Sequence, residues 1–157
     1  MKFTWPPTDT LRPLDLEAHR RDPSSAPTII RLLNETDAAA AWTVLEDSRE
    51  VGWVAVRTAP LDGRPAGVAR AGLRASDPIG PIEESMLPTS SGDTLRLVQR
   101  LALERPDGAA FVVVQASWSW VVGDELVVLS SSSAEPALAE LLIARIDALA
   151  AKIVIDA

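Results

Sequence analysis

The sequence predicts an α+β domain: a twisted, mainly antiparallel sheet of five or six strands with a C-terminal helix packed on one face. Three observations predict it. Residues 94–131 read as three successive strands joined by short turns. From Pro136 to Lys152 the apolar period changes from two to between three and four. The chain has 157 residues, 47% hydrophobic and 24% charged, which suits one packed core rather than bulk disorder.

The elements follow in order. Residues 1–27 form a proline-rich N-terminal arm, and residues 28–157 a single α+β domain. Pro6, Pro7, Pro13, Pro23 and Pro27 leave little room for helix or paired strand. The piece from Asp15 to Arg21 has length for at most two helical turns, and Trp5 is the arm's only large anchor. Thr28 to Leu33 is a β-branched run and reads as a strand. Asp37 to Asp47 is ambiguous: four alanines favour helix with Asp37 as N-cap, whereas Trp42-Thr43-Val44-Leu45 suits a strand. Val51 to Thr58 is a clearer strand, ended by Pro60 and the turn Leu61-Asp62-Gly63-Arg64-Pro65. Gly67 to Ala75 reads as a returning strand. Residues 76–93 read as a long loop, punctuated by proline, glycine and serine, with a short helical turn around Ile82 to Leu87.

The second half carries the clearest pattern. Thr94 to Glu104 reads as a strand with Leu95, Leu97, Leu101 and Leu103 on one face. Pro106-Asp107-Gly108 is a turn, Ala109 to Val122 a long strand, Gly123-Asp124 a tight turn, and Glu125 to Ser131 the returning strand. Leu138, Leu142, Ile146, Leu149 and Ile153 then mark the amphipathic helix. Ser133 suits its N-cap and Pro136 its first turn. The run Ser130 to Ser133 falls where a strand ends and a helix begins, which explains it structurally.

Composition removes several function classes. There is no cysteine, so disulfides, thiolate metal sites and cysteine nucleophiles are excluded. His19, the single histidine, lies in the arm, where nothing in the sequence would hold a general base in place. No nucleophile elbow, phosphate loop or metalloprotease helix occurs. The carboxylate pairs Asp15/Glu17 and Glu83/Glu84 lack the rhythm of a calcium loop. No catalytic residue, metal site or cofactor is therefore expected. The formal net charge of −7 disfavours nucleic acid and anionic membranes as partners. The apolar runs are too short for membrane insertion, and the start Met1-Lys2-Phe3-Thr4-Trp5-Pro6 has no apolar core of a signal peptide. The cytoplasm is the expected compartment.

Two constellations remain. The cations are thirteen arginines and two lysines. Arg70 and Arg74 share one face of their expected strand, Arg96 and Arg100 share one face of theirs opposite the leucines, and Arg57 ends another. If those strands are neighbours, an arginine-lined outer face results, suited to an acidic protein segment or an anion. The ordinary alternative is a solvated face whose arginine stems cover apolar area. Trp118 and Trp120, two residues apart, belong to the strand face that meets the helix. They are either core or the floor of a cleft at the helix edge.

The order of elements in residues 51–157 resembles the PsbP-like superfamily, including its LpqN-type and DcrB-like members. The pattern is paired strands, a proline-rich excursion, the meander from Thr94-Leu95-Arg96-Leu97-Val98-Gln99 through Glu125-Leu126-Val127-Val128-Leu129-Ser130, one C-terminal helix, and the tail Ile153-Val154-Ile155. The resemblance implies a mostly non-catalytic protein that works by protein–protein contact. The sequence thus points first to a non-catalytic adaptor or chaperone-like protein binding a protein partner through a sheet face, with a homodimer through that face as a variant. The partner-binding residues would be Arg57, Arg70, Arg74, Arg96, Arg100, Trp118 and Trp120. The alternatives are a small apolar ligand-binding protein or modest enzyme with a pocket between sheet and helix, roofed by residues 76–93, and an immunity-type protein with one tight partner.

Overall fold

The computed structural model describes residues 1–5, 8–21, 37–104 and 107–156, with the side chains of residues 18–20 outside that description. The architecture is α+β, as the sequence predicts, but the main sheet has seven strands rather than five or six. In chain order the elements are β1 (Lys2–Thr4), β2 (Leu11–Pro13), α1 (Leu16–Arg21), β3 (Ala40–Glu46), β4 (Arg49–Pro60), α2 (Ala66–Ala71), β5 (Glu83–Leu87), β6 (Thr94–Glu104), β7 (Ala110–Val122), β8 (Glu125–Ser133), α3 (Pro136–Ala150) and β9 (Val154–Asp156). The order across the main sheet is β2-β3-β4-β8-β7-β6-β5, every pair antiparallel, and β1 pairs with β9 in a separate ribbon.

The meander β6-β7-β8 and the C-terminal helix stand where the residue pattern puts them. Gly123 takes φ 60 at the first position of the β7–β8 turn, a conformation that favours glycine. Strand β8 runs on to Ser133, because Ser131, Ser132 and Ser133 still pair with Ala116, Gln115 and Val114. Helix α3 starts after Glu135 rather than Ser133; the Ser133 hydroxyl instead accepts a hydrogen bond from the Glu135 backbone N–H at 3.1 Å. Ile153 lies beyond the helix, fully buried.

Four other stretches differ from the sequence reading. The ambiguous segment is strand β3, and Asp37 has φ 50, so it caps no helix. Residues 67–75 are not a strand: Ala66–Ala71 form α2, entered from Pro65 and closed at Gly72, so the glycines mark a helix and its exit. Residues 82–87 are not a helical turn but contain β5, paired with Thr94 to Val98. The arm also pairs. Its β1 holds β9 in the register Phe3 to Ile155, and its β2 adds an edge to β3, with Pro13 opposite Trp42. Proline is tolerated there because an edge strand leaves one side of its backbone unpaired. Trp5 anchors the arm as expected, edge-on to Trp42 with centroids 5.3 Å apart. The strand expected at residues 28–33 lies outside the described residues.

The registers sort side chains onto two faces. Trp42, Val54, Val56, Ala116, Trp118, Trp120, Val127 and Leu129 share the face covered by α3, with Leu142 and Ile146 pressing on them. The opposite face is crossed by the connection from β4 to β5. There Leu61, Leu126 and Val128 pack with Ala69 and Leu73, while Leu16 of α1 packs on Ala41 and Ala55 at the other end. Gln99 fastens the crossing chain. Its amide donates to Leu73 O at 3.0 Å and accepts from Ala75 N at 2.8 Å.

Gly52 sets how closely α3 approaches β4. A Cβ at Gly52 would lie 2.7 Å from Leu142 Cδ2, so the buried Leu142 side chain would have to shift. Gly52→Ala should therefore cost about 1–3 kcal/mol in denaturant unfolding. A variant as stable as the wild type would show that the helix is not seated against β4 in this way.

Candidate groove between α3 and strands β6 and β7

Helix α3 packs chiefly on β4, β7 and β8, leaving space between its flank and the outer part of β6. A groove of about 390 Å3 occupies that space. Its floor is Val98, Val112 and Val114, and its helix wall is Pro136, Ala139, Glu140, Ile143, Ala144 and Asp147. Those helix positions recur at three- and four-residue steps, as one flank of a helix must. Val112, 44% exposed, continues the apolar floor toward solvent. Arg96 and Arg100 rise from β6 into the same groove, and Glu83 joins them from β5.

The charges inside the groove are mostly matched. Arg96 Nη1 donates to Asp147 Oδ2 at 2.7 Å, and its Nε donates to Ser85 at 3.1 Å. The other oxygen of Asp147 accepts the indole N–H of Trp118 at 2.6 Å. A fully buried tryptophan is thus tied through one carboxylate to an arginine at the groove wall. Arg100 faces Glu83 at 3.6 Å, a looser and more exposed pair. Glu140 has no hydrogen-bond or ion-pair partner among the described residues.

The five arginines read as one outer face are divided by the structure. Arg96 and Arg100 pair across from Trp118 and Val114, so they stand on the helix side of the sheet. Arg57 is opposite Val128 on the other face. Arg70 is on α2, where its Nη2 donates to Ser119 O at 3.0 Å; its buried Nε has no partner, and burial pushes its pKa down. Arg74 follows α2 and grips Glu84 with two hydrogen bonds of 2.6 and 3.0 Å. The proximity of Arg70 and Arg74 on one strand face fails because residues 66–71 are helical and 72–82 run across the sheet. Trp118 and Trp120 are both buried, at 0% and 1% exposed, and neither lines the groove. Trp120 instead donates to Thr89 at 2.9 Å, where the segment 88–93 folds against the helix end.

Glu140, Ile143, Ala144 and Asp147 were not singled out by sequence reasoning. Their signal was present as a second stripe on the helix, one step around from Leu142, Ile146 and Leu149. Among the described residues no three His, Asp or Glu side chains converge as a metal set, and no helix is long and apolar enough to cross a membrane. The sequence matches no family model and no curated protein.

Two outcomes test this geometry. Arg96→Glu places a carboxylate against Asp147, and at 26% and 27% exposure the pair is partly shielded from water. It should cost about 2 kcal/mol, lowering Tm by about 4–8 °C. Arg100→Glu, at a more exposed pair, should stay within about 1 kcal/mol. Equal losses would contradict the different roles of the two arginines. The second outcome concerns Glu84, whose pKa is lowered chiefly by the hydrogen bond from Arg74. A lowered folded pKa means the pair's contribution is complete above the ordinary glutamate pKa and is lost as pH falls through the folded value. By NMR the Glu84 carboxyl should titrate below ordinary glutamate, and Arg74→Gln should return it to the ordinary range. A Glu84 titration unmoved by that substitution would show that the ion pair is not formed in solution.

Proposed function

We propose that this chain is a non-catalytic adaptor that holds an apolar segment of a protein partner in the α3 groove. The observation that carries the reading is the groove beside the helix flank, whose floor is Val98, Val114 and the exposed Val112. Apolar surface left beside a helix and rimmed by charge is the usual character of a contact surface. The flank from Pro136 to Asp147 is about 16 Å long at the rise of an α-helix, the span of about five extended residues. The groove's Asp147 and Glu83 are engaged with arginines rather than aimed at a reacting group. The PsbP-like resemblance of residues 51–157 supports the same non-catalytic role. The binding surface is accordingly the edge between helix and sheet rather than an open arginine face.

A small apolar ligand in the same groove is the second reading, favoured by a volume within the range of about 300–1,000 Å3 common for such sites. One experiment separates them. A photo-crosslinking residue is placed at Ala144 in the groove wall and, as control, at Val68 on α2, and each variant is irradiated in source-cell extract. The adaptor reading expects a discrete protein adduct from position 144, none from position 68, and loss of the adduct on adding Val112→Glu. A second copy of the chain as the adduct would assign a homodimer. No adduct at 144, with an apolar dye bound by the wild type and not by Val112→Glu, would replace the adaptor with the small-ligand reading.

A further inference from the structure

On the opposite face of the sheet from the groove, a second pocket of about 170 Å3 opens between α2 and strands β4 and β8. Its apolar surfaces are Val128, Leu126, Leu73 and Ala69. Arg57 and Arg64 line it, and among the described residues no carboxylate does. Arg64 is fixed in place. Its Nε donates to Leu61 O and its Nη2 to Pro60 O, each at 3.0 Å, which leaves Nη1 without a described acceptor. The Arg57 side chain has no hydrogen-bond or ion-pair partner among the described residues.

That arrangement differs from that of the arginines held in ion pairs. The chain has 22 acidic and 15 basic residues. Elsewhere Arg12 meets Glu50, Arg74 meets Glu84, Arg96 meets Asp147, Arg100 meets Glu83 and Arg145 meets Glu46. In an acidic protein, two arginines in one concavity without a carboxylate leave planar donors suited to an oxyanion. Backbone carbonyls anchoring Arg64 reduce the side-chain entropy that ordering it on a ligand would lose.

We propose that this pocket binds a small organic anion, its carboxylate or phosphate group held by Arg57 and Arg64 and its carbon part lying on Leu73 and Val128. The pocket is smaller than the roughly 300 Å3 at which drug-sized sites begin, so the ligand is a compact acid rather than a large cofactor. The site is independent of the α3 groove and of what that groove holds.

The test is a titration of the full chain, followed by amide NMR at constant ionic strength, with inorganic phosphate in one series and butyrate in another. The expected result is saturable shifts centred on Arg57, Arg64 and Gly72 with at least one anion. Arg57→Gln should weaken binding by about tenfold or more, and Arg145→Gln, remote from the pocket, should leave it unchanged. Preference for phosphate or for butyrate names the headgroup. Arg64→Lys, which keeps the charge but loses the fork, should weaken binding as well and guards against a folding defect in either variant. Non-saturating shifts with both anions, or saturable binding with the same Kd in Arg57→Gln, would overturn the proposal.

Discussion

The position of α3 on the sheet is fixed by a close approach and a polar tie. Leu142 sits directly over Gly52, where any side chain on β4 would collide with it. Five residues further along the helix, Asp147 takes the indole N–H of Trp118 and the guanidinium of Arg96. A buried indole N–H must find an acceptor, and a carboxylate entering that environment must itself be matched. Arg96 supplies the match. The helix therefore cannot slide toward β6 without orphaning Trp118, nor press closer without moving Leu142. Its seat over β4, β8 and β7 is the reason a groove stays open beside β6, with Val112 exposed at its floor.

The other face is closed by a different means. The chain leaves β4 at the middle of the sheet and must reach β5 at its far edge, so residues 61–82 pass across the back of β8, β7 and β6. Leu61 is buried there and Leu73 partly so, Arg70 holds Ser119 O, and Gln99 takes both Leu73 O and Ala75 N. Gln99 also bonds Gln115 at 2.9 Å, so this pair of amides serves the crossing chain. Serines at 117, 119, 130 and 132 share that face and keep it shallow, which leaves room for another layer of chain. The pocket at Arg57 and Arg64 lies beside α2 at the start of this crossing, where the turn after β4 brings Arg64 back over its own strand.

The two ends of the chain meet in the β1–β9 ribbon, and the β9 end is held again by Ser91. Its hydroxyl donates to Ile153 O and accepts from Ile155 N, each at 2.9 Å. The segment 88–93, which looks like simple loop in sequence, is therefore a clasp over the C-terminal turn of α3. Its Thr89 receives Trp120, so the two tryptophans on β7 both donate to groups that locate α3 and its exit.

The sequence by itself determined the parts whose pattern is local. The period-two runs of 94–131, the Gly123-Asp124 turn and the apolar stripe of 136–149 each contain their own reason to form, because strand alternation and helix periodicity are written in neighbouring residues. Tertiary structure decided the rest. Residues 11–13 and 83–87 are strands because a sheet edge was waiting for them, and residues 2–4 because residues 154–156 pair with them, not because their composition favours strand. Ala66–Ala71 are helical over the back face, although residues 67–75 read in sequence as a returning strand. Above all, which arginines share a face depends on strand order and register. The β4–β8 pairing and the crossing to β5 bring together residues tens of positions apart. A linear pattern of arginines at even spacing does not encode those pairings, so it could not separate Arg96 and Arg100 from Arg57, nor reveal that Arg64 would join Arg57.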